Sequence, residues 1–338
     1  MGSSSARFYI LDLLRFIAAL GVLIYHYSVF FKSDEDSILL NASSFGYLGV
    51  VFFFLLSGFV ISISAGKYSA GKFLFSRAVR LYPAFISCLL LTVCTVYVVS
   101  HKTWPIKDIM ANGFIVNDYF KIANIDGVYW TLQAELKFYC CIFGLLLLGL
   151  FKFHRLWLSF WLAAAITYYF FKQPFFLGWF ISPDYSFYFI GGVAAYFVYK
   201  SKSDLWAHSI FLISLIFGCM AAAKQTGDFI SHVSAHTGVV AGGVVLLFYL
   251  FFFVLAKGGF EILKVPRWWG YLGAMSYPIY LLHDKFGKTF ISLFVSEIGI
   301  LPSLVLVTGF VMLIALCLHL YVEKPLAAYL NSVNKKYF

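Results

Sequence analysis

Charge is scarce in this chain. Asp, Glu, Lys and Arg make up 12% of its 338 residues, where a soluble domain carries roughly one quarter. That shortage excludes an ordinary soluble domain. Acidic residues are the scarcer sign, 15 against 25 basic, for a formal net charge of +10. The excess does not call for a nucleic-acid partner, because basic loops are normal on the cytoplasmic side of membrane proteins. A secreted disulfide framework is also missing. The cysteines, Cys88, Cys94, Cys140, Cys141, Cys219 and Cys317, all fall in apolar segments, and no C-x-x-C occurs. They read as small core hydrophobes. The chain has no H-E-x-x-H, no P-loop, no G-x-S-x-G and no glycine fingerprint after a strand. No metal site and no serine nucleophile are therefore expected. A cleaved signal peptide is not expected either. Asp12 and Arg15 interrupt the first apolar run and no small-x-small site follows, so that run should stay as the first span.

What fills the chain instead is apolar. Hydrophobic residues make up 62%, with 40 Phe and 23 Tyr, and the mean hydropathy is +0.87. A helix needs about 20 apolar residues to cross a bilayer. Candidate segments run near 8–31, 45–65, 82–100, 129–150, 156–171, 185–200, 208–223, 236–256, 268–284 and 301–322. Segment 285–300, with Lys285, Lys288 and Glu297, is amphipathic and suits a membrane surface or a re-entrant position. The expected fold is an all-α integral membrane protein, a bundle of about ten transmembrane helices. A cytoplasmic N-terminus puts Arg7, Lys67, Lys72, Arg77, Arg80, Lys152, Arg155 and the C-terminal lysines inside, and Asp34-Glu35-Asp36 outside. The positive-inside rule thus favours two cytoplasmic termini. Residues 1–338 read as one membrane domain with no soluble domain attached. The longest outer loop, 101–128, carries Trp104-Pro105 and is a candidate cover for an external site.

Within this apolar frame a few polar residues stand out. Arg15 and His26 share the first segment with ten residues between them. On a helix both project from nearly one face, separated by roughly 16 Å along the axis. Such groups persist in lipid when they face a bundle interior or cavity. The bland alternative is a snorkelling Arg15, or an Asp12–Arg15 pair, with an interfacial His26. With the assumed direction, His26 lies about 6–8 Å below the outer boundary, and Glu135 in the fourth segment about 9 Å below it. A buried carboxylate level with an imidazole would orient its ring, which suits a general base. The alternative for Glu135 is a structural pairing with Lys137 or Arg15. Arg77 and Arg80 are three apart and share a helical face. Pro83 then favours a break before the third span. Two arginines beside Lys72 make a site for phosphates, or equally for lipid headgroups. Ser57-Gly58 lets helices or a thin ligand approach closely. Tyr277 and Tyr280, in the proline-interrupted ninth segment, are placed to line a cavity, with His283 near its end.

Taken in order, the motifs resemble the membrane acyltransferase 3 family. They are Arg15-x10-His26, Leu55-Leu-Ser57-Gly58-Phe59, Arg77-x-x-Arg80-x-x-Pro83, Trp130-x-Leu132-x-x-Glu135-x-x-Phe138-Tyr139 and Ser276-Tyr277-x-x-Tyr280-x-x-His283. One departure is Ser76, where many members carry a denser arginine cluster. The resemblance implies an O-acyltransferase of the bacterial inner membrane with acetyl-CoA as donor and no tightly bound cofactor. The expected acceptor is a hydroxyl of a surface saccharide or lipid-linked glycan, such as lipopolysaccharide O-antigen. His26 and Glu135 are then catalytic; Arg15, Arg77, Arg80 and Ser57 bind the donor; Trp130, Tyr277, Tyr280 and His283 face the acceptor. The resemblance also implies that no hydrolase-like domain is fused after Glu323-Lys324-Pro325. A transporter or flippase of a lipid-linked saccharide is the alternative, since intramembrane Arg, Glu and His mark transport pathways too.

Overall fold

A computed structural model describes residues 9–28, 30, 43–173, 177–230, 235–259 and 265–337. All regular structure among them is helical. The elements are α1 Tyr9–Ser28, α2 Gly49–Ala65, α3 Ala70–Ser100, α4 Ile106–Gly113, α5 Tyr129–Leu147, α6 His154–Phe171, α7 Ser186–Lys200, α8 Leu205–Phe229, α9 Ala235–Lys257, α10 Trp269–Leu282, α11 Lys285–Ile298, α12 Ile300–Leu318 and α13 Lys324–Tyr337. Every apolar segment expected from sequence is helical. Among the described residues, 7 helices are long and apolar enough to cross a membrane: α1, α2, α3, α5, α8, α9 and α12 with its continuation. Helices α7 and α10 have only 15 and 14 residues. The basic Arg7 and Lys264 and the acidic Asp34-Glu35-Asp36 lie outside the described residues.

Two expectations need correction. Pro83 does not break the chain; it lies inside the single 31-residue helix α3. Its missing N–H costs one backbone bond, which a long apolar helix tolerates where side chains help satisfy the backbone. Ser87 donates to the Pro83 carbonyl at 2.9 Å; the carbonyl that Pro83 leaves without an N–H is that of Val79. The cysteines are free, as expected, but only Cys88 is buried; Cys94, Cys140 and Cys317 are exposed. On membrane helices an exposed thiol faces an apolar solvent, so its presence says nothing about a core.

The chain forms two compact units. One comprises Met1–Gly46, Ala78–Trp130 and Lys264–Phe338; the other comprises Tyr47–Arg77 and Thr131–Leu263. In the first unit, α1 packs along α10, and α12 packs on α10 and α11. Glycine makes the closest approaches. A Cβ on Gly273 of α10 would lie 2.4 Å from an Asp12 carboxylate oxygen, and one on Gly287 of α11 would lie 2.1 Å from the Tyr27 hydroxyl. The 101–128 connection is folded rather than loose. Buried Asn112 donates to the carbonyls of Asp108 and Ala123 and accepts from the Ile125 N–H.

The second unit is built on α2 crossing α7, with α8 and α9 packed behind. Its core is aromatic: Phe189 meets both Phe54 and Phe138 at 4.7 Å between ring centroids. The Tyr249 hydroxyl is buried among α7 and α8 and reaches the Phe187 carbonyl at 2.8 Å. At the crossing itself, Gly58 and Gly192 face each other. A Cβ on Gly192 would fall 1.9 Å from the Leu55 carbonyl oxygen. Small residues permit such backbone contact between membrane helices. Gly192→Ala is expected to cost about 1–3 kcal/mol through overpacking. Gly144→Ala, where a Cβ meets nothing within 4 Å, should be neutral or slightly stabilising. Thermal unfolding of the detergent-solubilised protein checks both; equal midpoints would remove the packing role of this crossing.

Candidate active site

His26 lies in the last turn of α1. Its Nδ1 stands 3.5 Å from Asp284 Oδ1 and 3.4 Å from Lys288 Nζ. Lys288 in turn meets Asp284 Oδ1 at 2.5 Å. Asp284 and Lys288 are four apart at the start of α11, so one helical turn makes the pair. His283 completes the cluster, its ring 4.9 Å from that of His26. His283 Nδ1 lies 2.7 Å from the Tyr280 carbonyl. A carbonyl only accepts, so Nδ1 carries the proton and Nε2 holds a lone pair. That buried Nε2, and the buried Tyr27 hydroxyl, have no hydrogen-bond partner among the described residues. Buried polar atoms are normally satisfied, so these two are open to a ligand.

A second carboxylate supports the first. Asp126, fully buried at the end of the 101–128 connection, accepts the N–H groups of Val128 at 3.2 Å and Lys285 at 2.9 Å. A Cβ on the adjacent Gly127 would lie 3.1 Å from Asp284 Oδ2. The segment expected as a cover therefore contributes Asp126 and Gly127 to the surroundings of Asp284. Burial, and then the Asp284 charge, push the Asp126 carboxyl up to about 7.

The other candidates divide by location. Arg15 lies one face along α1 from His26 and pairs with Asp12 at 3.6 Å. Asp12 is buried, so the pair seen in the structure is the bland alternative weighed for Arg15. Arg80 is exposed on α3. Trp130 is half-buried at the start of α5, Tyr277 is half-buried in α10, and Tyr280 is buried with its ring 5.4 Å from His283. In the second unit, Ser57 donates to Glu135 Oε1 at 2.7 Å, and the Tyr139 hydroxyl donates to the same oxygen. Lys137 instead reaches the Gly178 carbonyl at 3.0 Å. Arg77 donates to Ser76 at 3.3 Å and to Ser64 at 3.5 Å. Among the described residues no group of His, Cys, Asp and Glu is placed to hold a metal ion.

The sequence marks His26, His283 and Glu135 but gives Asp284, Lys288 and Asp126 no comparable prominence. The adjacency of Asp284 to His283, and the spacing of Asp284 to Lys288, were the available signals. Nothing in the sequence joins either to His26, more than 250 positions away, or to Asp126.

Comparison with known proteins now decides the class. The acyltransferase 3 family model, described as an acyltransferase domain, matches residues 8–322. The chain belongs to the acyltransferase 3 family. Its long apolar helices agree with a multi-pass membrane protein. It is 37% identical over 117 residues to "Protein 2 in picA locus" of Rhizobium radiobacter, covering 32% of this chain and 56% of that protein. It is 28% identical over 150 residues to an O-acetyl transferase of Shigella phage Sf6, covering 38% and 43%. It is 29% identical over 167 residues to the acyltransferase MdmB of Streptomyces mycarofaciens, covering 46% and 42%. The matches thus span about half the length of these curated relatives. No solved structure matches the chain.

The raised Asp126 carboxyl has a pH signature. A carboxyl bound to its proton more tightly when folded contributes stability that is full below its unfolded value of about 3.9. That contribution is lost as pH rises through its folded value of about 7. The thermal midpoint of the wild type should therefore fall relative to Asp126→Asn between about pH 4 and about pH 8. Parallel pH profiles for the two proteins would refute this account of Asp126.

Proposed function

We propose that this acyltransferase moves an acetyl group from cytoplasmic acetyl-CoA to a hydroxyl of a surface saccharide, such as lipopolysaccharide O-antigen. The setting is the bacterial inner membrane, with about ten spans and both termini in the cytoplasm. The observation that carries this reading is the contact of His26 with Asp284 inside an apolar, family-typed acyltransferase. The likeness to a phage O-acetyl transferase supports oxygen as the acceptor atom.

The chemistry follows from the tautomer. When Nδ1 carries the proton and turns it to Asp284, in place of accepting from Lys288, His26 presents the Nε2 lone pair as a general base. The saccharide hydroxyl oxygen attacks the thioester carbonyl carbon while Nε2 takes its proton. The C–S bond then breaks, and His26 returns that proton to the departing CoA sulfur. The products are an ester and free CoA. Asp284 orients the ring and stabilises the positive charge that forms on it, a role known for the carboxylate of other His-based catalysts. Lys288 holds Asp284 in place. His283 Nε2 can accept from a hydroxyl, and the Tyr27 hydroxyl can donate to a developing oxyanion. Trp130, Tyr277 and Tyr280 are assigned to the acceptor. Arg15, Arg77 and Arg80 are assigned to the donor phosphates, where guanidinium groups bind well. Ser57 is assigned to the donor too, and it also holds Glu135. Glu135 keeps its catalytic assignment as a carboxylate fixed by Ser57 and Tyr139.

Purified protein given acetyl-labelled CoA and a glycan panel should transfer label to saccharide. His26→Ala should abolish transfer while the protein still inserts and melts normally. Asp284→Asn should lower kcat by about 10²–10⁴-fold, the usual range for losing an effective base, and leave KM for acetyl-CoA nearly unchanged. Near-normal transfer by His26→Ala would sink the assignment, and saccharide flux without acylation would favour transport.

A further inference from the structure

The second unit carries a pocket that the histidine chemistry does not use. It lies where the C-terminal end of α6, the turn Pro183–Tyr185 and the last turns of α8 come together. Its volume is about 360 Å³, inside the roughly 300–1,000 Å³ range of small-molecule sites. Tyr168, Tyr169, Lys172, Asp184, Lys224 and Asp228 are among the residues that line it, and Gln225 adds an amide.

We propose that this pocket binds an uncharged sugar unit. The lining mixes aromatic rings with hydrogen-bonding side chains, and its charges cancel. Two ammonium groups, Lys172 and Lys224, face two carboxylates, Asp184 and Asp228. An anion would meet the carboxylates and a cation would meet the lysines. A polyol meets both with profit, because each hydroxyl donates to a carboxylate and accepts from an ammonium or amide. The tyrosine faces suit the C–H face of a pyranose ring.

The groups are also set before any ligand arrives. Lys172 Nζ lies 2.5 Å from Asp184 Oδ1 and 4.8 Å from the centre of the Tyr168 ring. Lys224 Nζ lies 5.1 Å from the centre of the Tyr169 ring. Both distances fall within cation–π range. The Gln225 amide donates to the Asp184 carbonyl at 3.2 Å, which ties α8 to the turn. Preorganisation of this kind lowers the entropy cost of binding.

The backbone at the end of α6 is also unusual. Lys172 caps α6 in the left-handed region, at φ 53°. Glycine takes that conformation without strain, and a lysine does not.

If the acceptor is a glycan, the pocket grips one of its units. That role rests on the acceptor reading above; binding itself does not. The test uses the full-length protein in nanodiscs, probed by saturation-transfer NMR. The probes are methyl glycosides of glucose, galactose, mannose, rhamnose and N-acetylglucosamine, with inorganic phosphate as competitor. At least one glycoside should bind. Asp228→Asn and Lys172→Gly should each weaken it by about tenfold or more. Lys172→Gly should at the same time keep or raise the thermal midpoint, which a merely structural lysine would not allow. His26→Ala should bind like wild type, so a failed transfer assay and a failed pocket are told apart. Three results would overturn the proposal: no glycoside binding, binding unchanged in both pocket variants, or displacement of the sugar by phosphate.

Discussion

The ion pair of Asp284 with Lys288 is the interaction around which the first unit's polar interior is arranged. A carboxylate in an apolar bundle is expensive unless a cation and hydrogen bonds meet it. Here the cation comes from the next turn of the same helix, so the pair forms without help from distant sequence. That leaves Asp284 able to face His26 as well. Two glycines keep the space open: Gly127 lies against the carboxylate, and Gly287 admits the Tyr27 hydroxyl. Asp126 is stored alongside by two backbone N–H groups rather than by a cation. Two carboxylates thus sit close together under different terms, and their environments hold them in different protonation ranges. That is a common arrangement at sites where protons move.

The same constraint acts in the second unit with neutral partners. Glu135 is met by two hydroxyls, from Ser57 and Tyr139. The Ser57-Gly58 pair therefore has two functions on successive residues. Gly58 brings α2 against α7, and Ser57 uses the adjoining face to hold the carboxylate.

Much of this was legible in the sequence, for definable reasons. Hydropathy located the ten long apolar segments that are helical, because the burial of apolar length is a local property, but not the polar α4 and α13. His26 and Glu135 stood out because charge in such a frame is conspicuous. The partners were not legible. Asp284 falls just past the last motif residue and Lys288 reads as an amphipathic charge, since their grouping with His26 is made by the packing of α1, α10 and α11. Asp126 looked like one more polar loop residue until the loop proved to be folded on Asn112. Pro83 misled for another reason. Proline statistics describe water-exposed chains, whereas in an apolar helix an uninterrupted run keeps more backbone groups satisfied than a break would. The lysine at the α6 cap carries no sequence signal, because its left-handed backbone is visible only in three dimensions.

The contact between Gly273 and Asp12 has a consequence for reading genetics in this family member. Asp12 is pressed between α1 and a bare stretch of α10, and Arg15 leans on Asp12. Any side chain at Gly273 would displace the carboxylate and so disturb its pair with Arg15. A change in an uncharged residue of α10 would then surface as a rearranged ion pair on α1. An allele that looks like a packing defect would, in fact, be an electrostatic one.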